Sequence, residues 1–280
     1  MARFQEIYSG VDKYYLKTEW KKFASIFDAS GNMVGYTLSD GTFSEIPESA
    51  YPITLRCIAY EQLVIESPED KTWEMTPSVY NLEELVEATE YYRDRAMELA
   101  SQVKRDAQGN VEFAEFKELA ENAGKGFEVL TYEKHYPVFA GSRLPVKKLG
   151  WADLYTSMGI TGVTMGLTGE AAVNPQIPAV SLPFTMAHEM CHRKCIASER
   201  DANFGAFLAC IENPDPNFQY AGYMMAYYYC YTAITRIPTS TAQAAASQTD
   251  KGVSAKLRAD LEAYIDFFGE GTIPENNRAE

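Results

Sequence analysis

Two of the three histidines in this chain stand four residues apart, in the run His188-Glu189-Met190-Cys191-His192. That spacing has a structural meaning only on a helix, where residues four apart share one face, roughly 6 Å apart at about 1.5 Å rise per residue. Two imidazoles so placed can share one tetrahedral Zn²⁺, and the glutamate between them projects beside the ion, where a general base is needed. The plainer reading of a helical histidine is a surface or satisfied core residue, so the surrounding sequence has to decide.

A zinc site needs a third protein ligand and an open position. Glu199 follows His192 by seven residues. On a continuous helix it would share the histidine face but lie about 10 Å further along the axis, out of reach of the same ion. The chain must therefore turn between the two. Cys195-Ile196-Ala197-Ser198 is the place for that turn, with Ser198 as N-cap of the next helix, although no proline or glycine forces the break. Asn203, one turn after Glu199, is placed to orient a metal-bound histidine. Glu199 also reads as a first-turn carboxylate favoured by the helix dipole, and Asp201 is the second candidate for third ligand.

The rest of the chain supplies a scaffold of mixed character. Hydrophobic residues make up 46% and aromatic residues 13% of 280, enough for a buried core. Short apolar runs at 36–43 and 53–65 predict strands. Helices are expected at 82–104, capped by Asn81, and at 112–123; 127–146 reads as extended. A short helix at 150–158 precedes a β-branched strand at 160–165. Pro183 suits the first turn of the motif helix. Further helices are expected at 198–211, 217–236 and 253–268. The uncharged stretch from Phe218 to Thr235 is too polar for a membrane span and reads as a core helix. The expectation is one α+β domain over 1–280: a mixed part at 1–146 with a small sheet, a helix-rich catalytic core at 147–268, and a frayed tail at 269–280.

Charge and cysteine content narrow the partners. Lys+Arg 25 against Asp+Glu 39 gives a net charge of −14, which argues against nucleic acid and against anionic membrane surfaces. Five cysteines, an odd set without a C-x-x-C pair, do not make a disulfide framework and are expected as buried thiols. The start of the chain carries no apolar signal-peptide segment.

Four segments in order carry a resemblance: Thr168-Gly169-Glu170-Ala171-Ala172-Val173-Asn174; Leu182 to His192 with the motif; Glu199-Arg200-Asp201-Ala202-Asn203-Phe204; and Tyr220-Ala221-Gly222-Tyr223. Together, over about 140–235, they resemble a bacterial family of predicted zinc-dependent peptidases catalogued as a domain of unknown function (DUF3810). The resemblance implies a zincin-like, gluzincin-type metallopeptidase with one zinc per chain, held by His188, His192 and Glu199, with Glu189 as base and Asn203 in place of the aspartate that orients a ligand histidine. Members of the family tend to carry glycine where Cys195 stands, and this departure bears on the sharp turn. They also usually carry N-terminal membrane helices absent from this chain, so a membrane-anchored parent is implied and membrane contact is expected only through such segments.

The expected reaction is hydrolysis of a peptide bond by a metal-activated water, with Glu189 moving the proton. An oxyanion donor beyond the metal is needed; Tyr220, Tyr223 and His135 are candidates, each also readable as a packing residue. The strand region before the motif, 160–174, is a candidate edge on which an extended peptide or protein substrate adds its backbone. Glu170 and Asn174 there are candidate substrate contacts, Glu170 being equally readable as a solvated loop carboxylate. Two other readings stay open: an inactive zincin-like scaffold that senses or binds a partner, and a metallohydrolase acting on a non-peptide substrate.

Overall fold

The computed structural model describes residues 24–37, 43, 46–57, 61–68, 80–113 and 115–269. The N-terminal part opens with four short strands, β1 (Ser25–Phe27), β2 (Met33–Tyr36), β3 (Ile53–Arg56) and β4 (Leu63–Ile65). They pair antiparallel in the order β2-β1-β3-β4. Alternation explains β3: Ile53 and Leu55 are buried while Thr54 and Arg56 face outward. The strand expected from residue 36 begins earlier, at Met33, and residues 38–42 of the expected run lie outside those described.

Helix α1 (Leu82–Ala100) starts where Asn81 and Glu84 form a reciprocal capping box, each side chain accepting the other's backbone N–H at 3.0 Å. It ends four residues before the sequence pattern suggested, with Ser101 as C-cap. Next come α2 (Phe116–Asn122) and α3 (Gly124–Glu128), continued by a π-helical turn at Val129–Glu133. The extended conformation expected from 127 is therefore corrected as far as 133. Leu119, Ala123, Phe127 and Leu130 are all buried at helical spacing, and that stripe outweighs the helix-breaking tendency of Gly124 and Gly126.

A second sheet is built from β5 (Lys147–Lys148), β6 (Gly162–Met165) and β7 (Glu170–Val173), with a short helix α4 (Ala152–Ser157) between β5 and β6. The order is β5-β7-β6, with β5 parallel and β6 antiparallel to β7. The segment expected as one edge strand is thus a hairpin: β6 forms the edge and β7 lies in the middle. Ala171 and Val173 of β7 are buried against the helix that follows.

That helix, α5 (Leu182–Arg193), carries the motif and has Pro183 in its first turn. It packs on β6 and β7 on one side and on α6 (Glu199–Ile211) and α7 (Pro216–Thr235) on the other. The uncharged stretch is the core helix expected: α7 is lined by buried Phe218, Tyr220, Met224, Met225 and Cys230 and runs along α1. Among the described residues no helix is long and apolar enough to cross a membrane. Helices α8 (Ser240–Lys251) and α9 (Ala255–Gly269) come last among the described residues. The pattern missed α8, whose buried face consists only of Ala242, Ala246 and Thr249. Alanine at helical spacing gives almost no contrast between apolar and polar faces. Most of the expected tail, from 270, lies outside the described residues.

Candidate metal centre

The turn between α5 and α6 decides whether Glu199 can reach the histidines. It is a Schellman closure: the N–H of Ile196 donates to the Cys191 carbonyl at 3.2 Å and that of Cys195 to the His192 carbonyl at 2.9 Å. Cys195 takes the left-handed conformation, φ 65°, that glycine usually supplies at this position. The departure singled out in the sequence is thus accommodated without loss of the turn, at a backbone cost of about 1–2 kcal/mol. Ser198 then caps α6, its side chain accepting from the Asp201 N–H. The two helices touch closely at Gly205, where a Cβ would stand 2.7 Å from the Cys191 sulfur.

This turn brings Glu199 back over the histidine face. Its two carboxylate oxygens lie 3.1 Å from His188 Nε2 and 3.4 Å from His192 Nε2, and the two Nε2 atoms are 3.0 Å apart. A tetrahedral ion with bonds of about 2.1 Å sets its ligand atoms roughly 3.4 Å from one another. One ligand atom from each of the three residues lies within 4.8 Å of the others, so the set could close on such an ion with small side-chain adjustments. The other nitrogen of His192, Nδ1, faces the Ile196 carbonyl at 2.8 Å. With its proton on Nδ1, His192 donates to that carbonyl and turns the Nε2 lone pair toward the cluster.

Electrostatics around the cluster follow from the same contacts. Hydrogen bonds from His188 and then His192 hold the Glu199 carboxyl well below the usual carboxylate range. The bond to Glu199 in turn raises His192 above the usual imidazole value, against the opposing effect of burial, and Glu189 is near enough to add to the rise. Asp201, the rival ligand, is buried near the start of α6 and lies outside the cluster.

Glu189 is buried against β6. Its Oε2 accepts from the Thr164 hydroxyl at 2.7 Å, and the same hydroxyl stands 3.0 Å from the Glu189 carbonyl. Gly162 leaves the space that the carboxylate fills, since a Cβ there would come within 2.5 Å of Oε1. Sequence reading found the strand but not these two residues. Their only signal was a threonine and a glycine at alternate positions, pointing to the same face of the strand.

The remaining candidates are placed elsewhere. Asn203 is half-buried, one turn after Glu199 on α6, and the partner of His192 Nδ1 is the Ile196 carbonyl. Tyr220 is fully buried and donates to the Asp260 carboxylate, which also forms a two-pronged ion pair with Arg105 at 2.6 and 3.0 Å. Burial pushes the Tyr220 hydroxyl up, which suits a fixed donor in the core. Tyr223 packs on Tyr91, Tyr92 and Phe207, lies under the Arg95 guanidinium, and is pushed up to about 12 by burial. His135 sits against Phe27 of the first sheet, and its carbonyl accepts from Ser25. Glu170 is paired with Lys147 across the second sheet. Asn174 is buried, donating to Thr156 Oγ1 and the Ile160 carbonyl and accepting from the Gln176 N–H, so it pins α4 and the entry to β6.

Comparison with known proteins adds the family. The profile of a family described as "Protein of unknown function (DUF3810)" matches residues 59–277, most of the chain and all of the site. No curated protein and no solved structure matches.

Proposed function

We propose that this chain, which belongs to the DUF3810 family, is a zinc-dependent peptidase of gluzincin type within a zincin-like fold. The observation that carries the reading is the convergence of His188 Nε2, His192 Nε2 and the Glu199 carboxylate, with Glu189 held beside them on β6. Two imidazoles and one carboxylate with an open position are the ligand set of catalytic rather than structural zinc, whose sites close with four protein ligands.

His188, His192 and Glu199 would hold the zinc, which would supply Lewis acidity toward a carbonyl and a bound water. The chain's own groups do the rest. His188 and His192 bring their Nε2 atoms to one point, and a proton on Nδ1 of His192, donated to the Ile196 carbonyl, would leave its Nε2 free to bind the ion. Glu189 takes the proton from the attacking water and passes it to the leaving amine. Its burial keeps competing solvent away from that transfer. The edge strand β6 favours a peptide over a small substrate, because an extended chain can pair with its outer side as a further strand.

Zinc content and hydrolysis of an unstructured polypeptide test this reading together. The expectation is about one zinc per chain and hydrolysis abolished in Glu189→Gln with zinc retained. Purified protein without zinc would support the scaffold reading, and zinc-loaded protein inert toward polypeptides would support a non-peptide hydrolase.

A further inference from the structure

The two oxygens of Glu189 have different surroundings. Oε2 is held by the Thr164 hydroxyl at 2.7 Å, whereas Oε1 lies over the Cα of Gly162 with no hydrogen bond to it among the described residues. We infer that Gly162 and Thr164 are positioning residues that fix the rotamer of Glu189 and leave Oε1 as the proton-accepting atom. This rests on the reading of Glu189 as the base.

A hydroxyl donor draws electron density from the oxygen it binds, so the unbonded Oε1 becomes the better acceptor of a proton from water. A glutamate side chain has three rotatable bonds, and a fixed contact at its end removes freedom that would otherwise be lost at the moment of reaction. The contact at Gly162 is steric and exclusive: a Cβ there would stand 2.5 Å from Oε1, 2.6 Å from Cγ and 2.7 Å from Cδ, inside any tolerable separation. Both residues belong to β6, the strand at the edge of its sheet. The terminal strand of that sheet among the described residues, where an extended substrate would add, therefore also holds the base. A peptide that straightens or shifts β6 on pairing would move the proton acceptor with it, tying substrate docking to base alignment.

Thr164→Val and Thr164→Ser, with Gly162→Ala as a second route to the same displacement, test the assignment on zinc-loaded protein. Thr164→Val is expected to lower kcat about 10- to 100-fold, the usual range for a lost supporting hydrogen bond, with KM and zinc content near wild type. Thr164→Ser restores the donor and should return kcat to within a few-fold of wild type. Gly162→Ala should lower kcat while keeping zinc. A purely structural role would lower the melting temperature yet leave kcat per zinc-loaded molecule unchanged in Thr164→Val. That result, with active wild-type protein, overturns the positioning role alone. Wild-type protein that binds zinc but hydrolyses no polypeptide overturns the base reading and this inference with it.

Discussion

The carbonyl of Ile196 lies 2.8 Å from Nδ1 of His192, so the residue that closes the turn after the motif helix also sets which nitrogen of that histidine faces the cluster. One backbone device does two jobs. The left-handed Cys195 reverses the chain so that Glu199 returns, and the next carbonyl fixes the imidazole it returns to.

Cys195 should be replaceable to advantage. Its φ of 65° strains any side-chain-bearing residue, so Cys195→Gly is expected to gain roughly 0.5–1 kcal/mol of stability after the extra flexibility of glycine in the unfolded chain is subtracted. Cys195→Val should lose about as much or more, since branching at Cβ worsens the same clash. Denaturant titration of the three proteins checks both signs, and zinc affinity should be kept in Cys195→Gly.

Metal affinity should separate the two acidic candidates on α6. Glu199→Ala removes a carboxylate within 3.4 Å of both imidazoles and is expected to weaken zinc binding by at least about 100-fold, more than the loss of an outer-shell partner. Asp201→Asn should leave affinity within a few-fold. Competition titrations with a chelator of known affinity would reverse the ligand assignment if the two variants behaved the other way round.

Helix spacing at Gly205 should matter to the site at a distance. In Gly205→Ala the new methyl would stand 2.7 Å from the Cys191 sulfur and 3.2 Å from the Phe139 ring, both buried. Overpacking of this kind costs about 1–3 kcal/mol. Because α6 carries Glu199 and α5 carries the histidines, the helices can separate only by drawing the carboxylate away. Thermal unfolding and zinc titration should therefore both shift in this variant, whereas a pure stability effect would spare the zinc affinity.

Acid should release the metal. His192 is raised above the usual imidazole value in the metal-free protein, chiefly by Glu199, and only the neutral ring can bind an ion. Affinity is thus expected to level off above the His192 pKa and to fall by about tenfold per pH unit for each proton that binding must displace below it. Glu199 is held low and stays ionised through this window, so it contributes no slope of its own there. Zinc titrations across the weakly acidic to neutral range check the direction; affinity rising toward acid would contradict it.

Tyr220 should prove structural. Its hydroxyl donates to the Asp260 carboxylate, which Arg105 also grips; Tyr220 and Asp260 are buried and Arg105 is half-buried. Tyr220→Phe is expected to cost about 1–2 kcal/mol of stability, and Asp260→Ala about 2–3 kcal/mol because it leaves the buried Tyr220 hydroxyl without its acceptor and the half-buried Arg105 without its carboxylate. In neither variant should kcat per folded, zinc-loaded molecule change by more than a few-fold, and a large drop in kcat for Tyr220→Phe would return it to the reaction.

The sequence by itself determined what depends on near neighbours along the chain. The spacing of His188 and His192, the caps at Asn81 and Ser198 and the strand alternation of β3 each follow from a few residues of local geometry. It also located the necessary turn after His192, because a rigid helix cannot bring Glu199 back. Two kinds of feature were not legible. A helix such as α8, whose buried side is alanine and threonine, leaves no contrast in the pattern. Contacts between elements distant in sequence, such as Thr164 on Glu189 or Tyr220 on Asp260, depend on how sheets and helices pack, and tyrosine or threonine spacing carries no trace of that. The tertiary structure alone decided that Cys195 closes the turn in a glycine-like conformation, that Glu199 rather than Asp201 faces the histidines, and that β6 holds the glutamate. The reason is physical: helix and strand periodicities are set residue by residue, whereas the meeting of two side chains is set by the packing of everything between them.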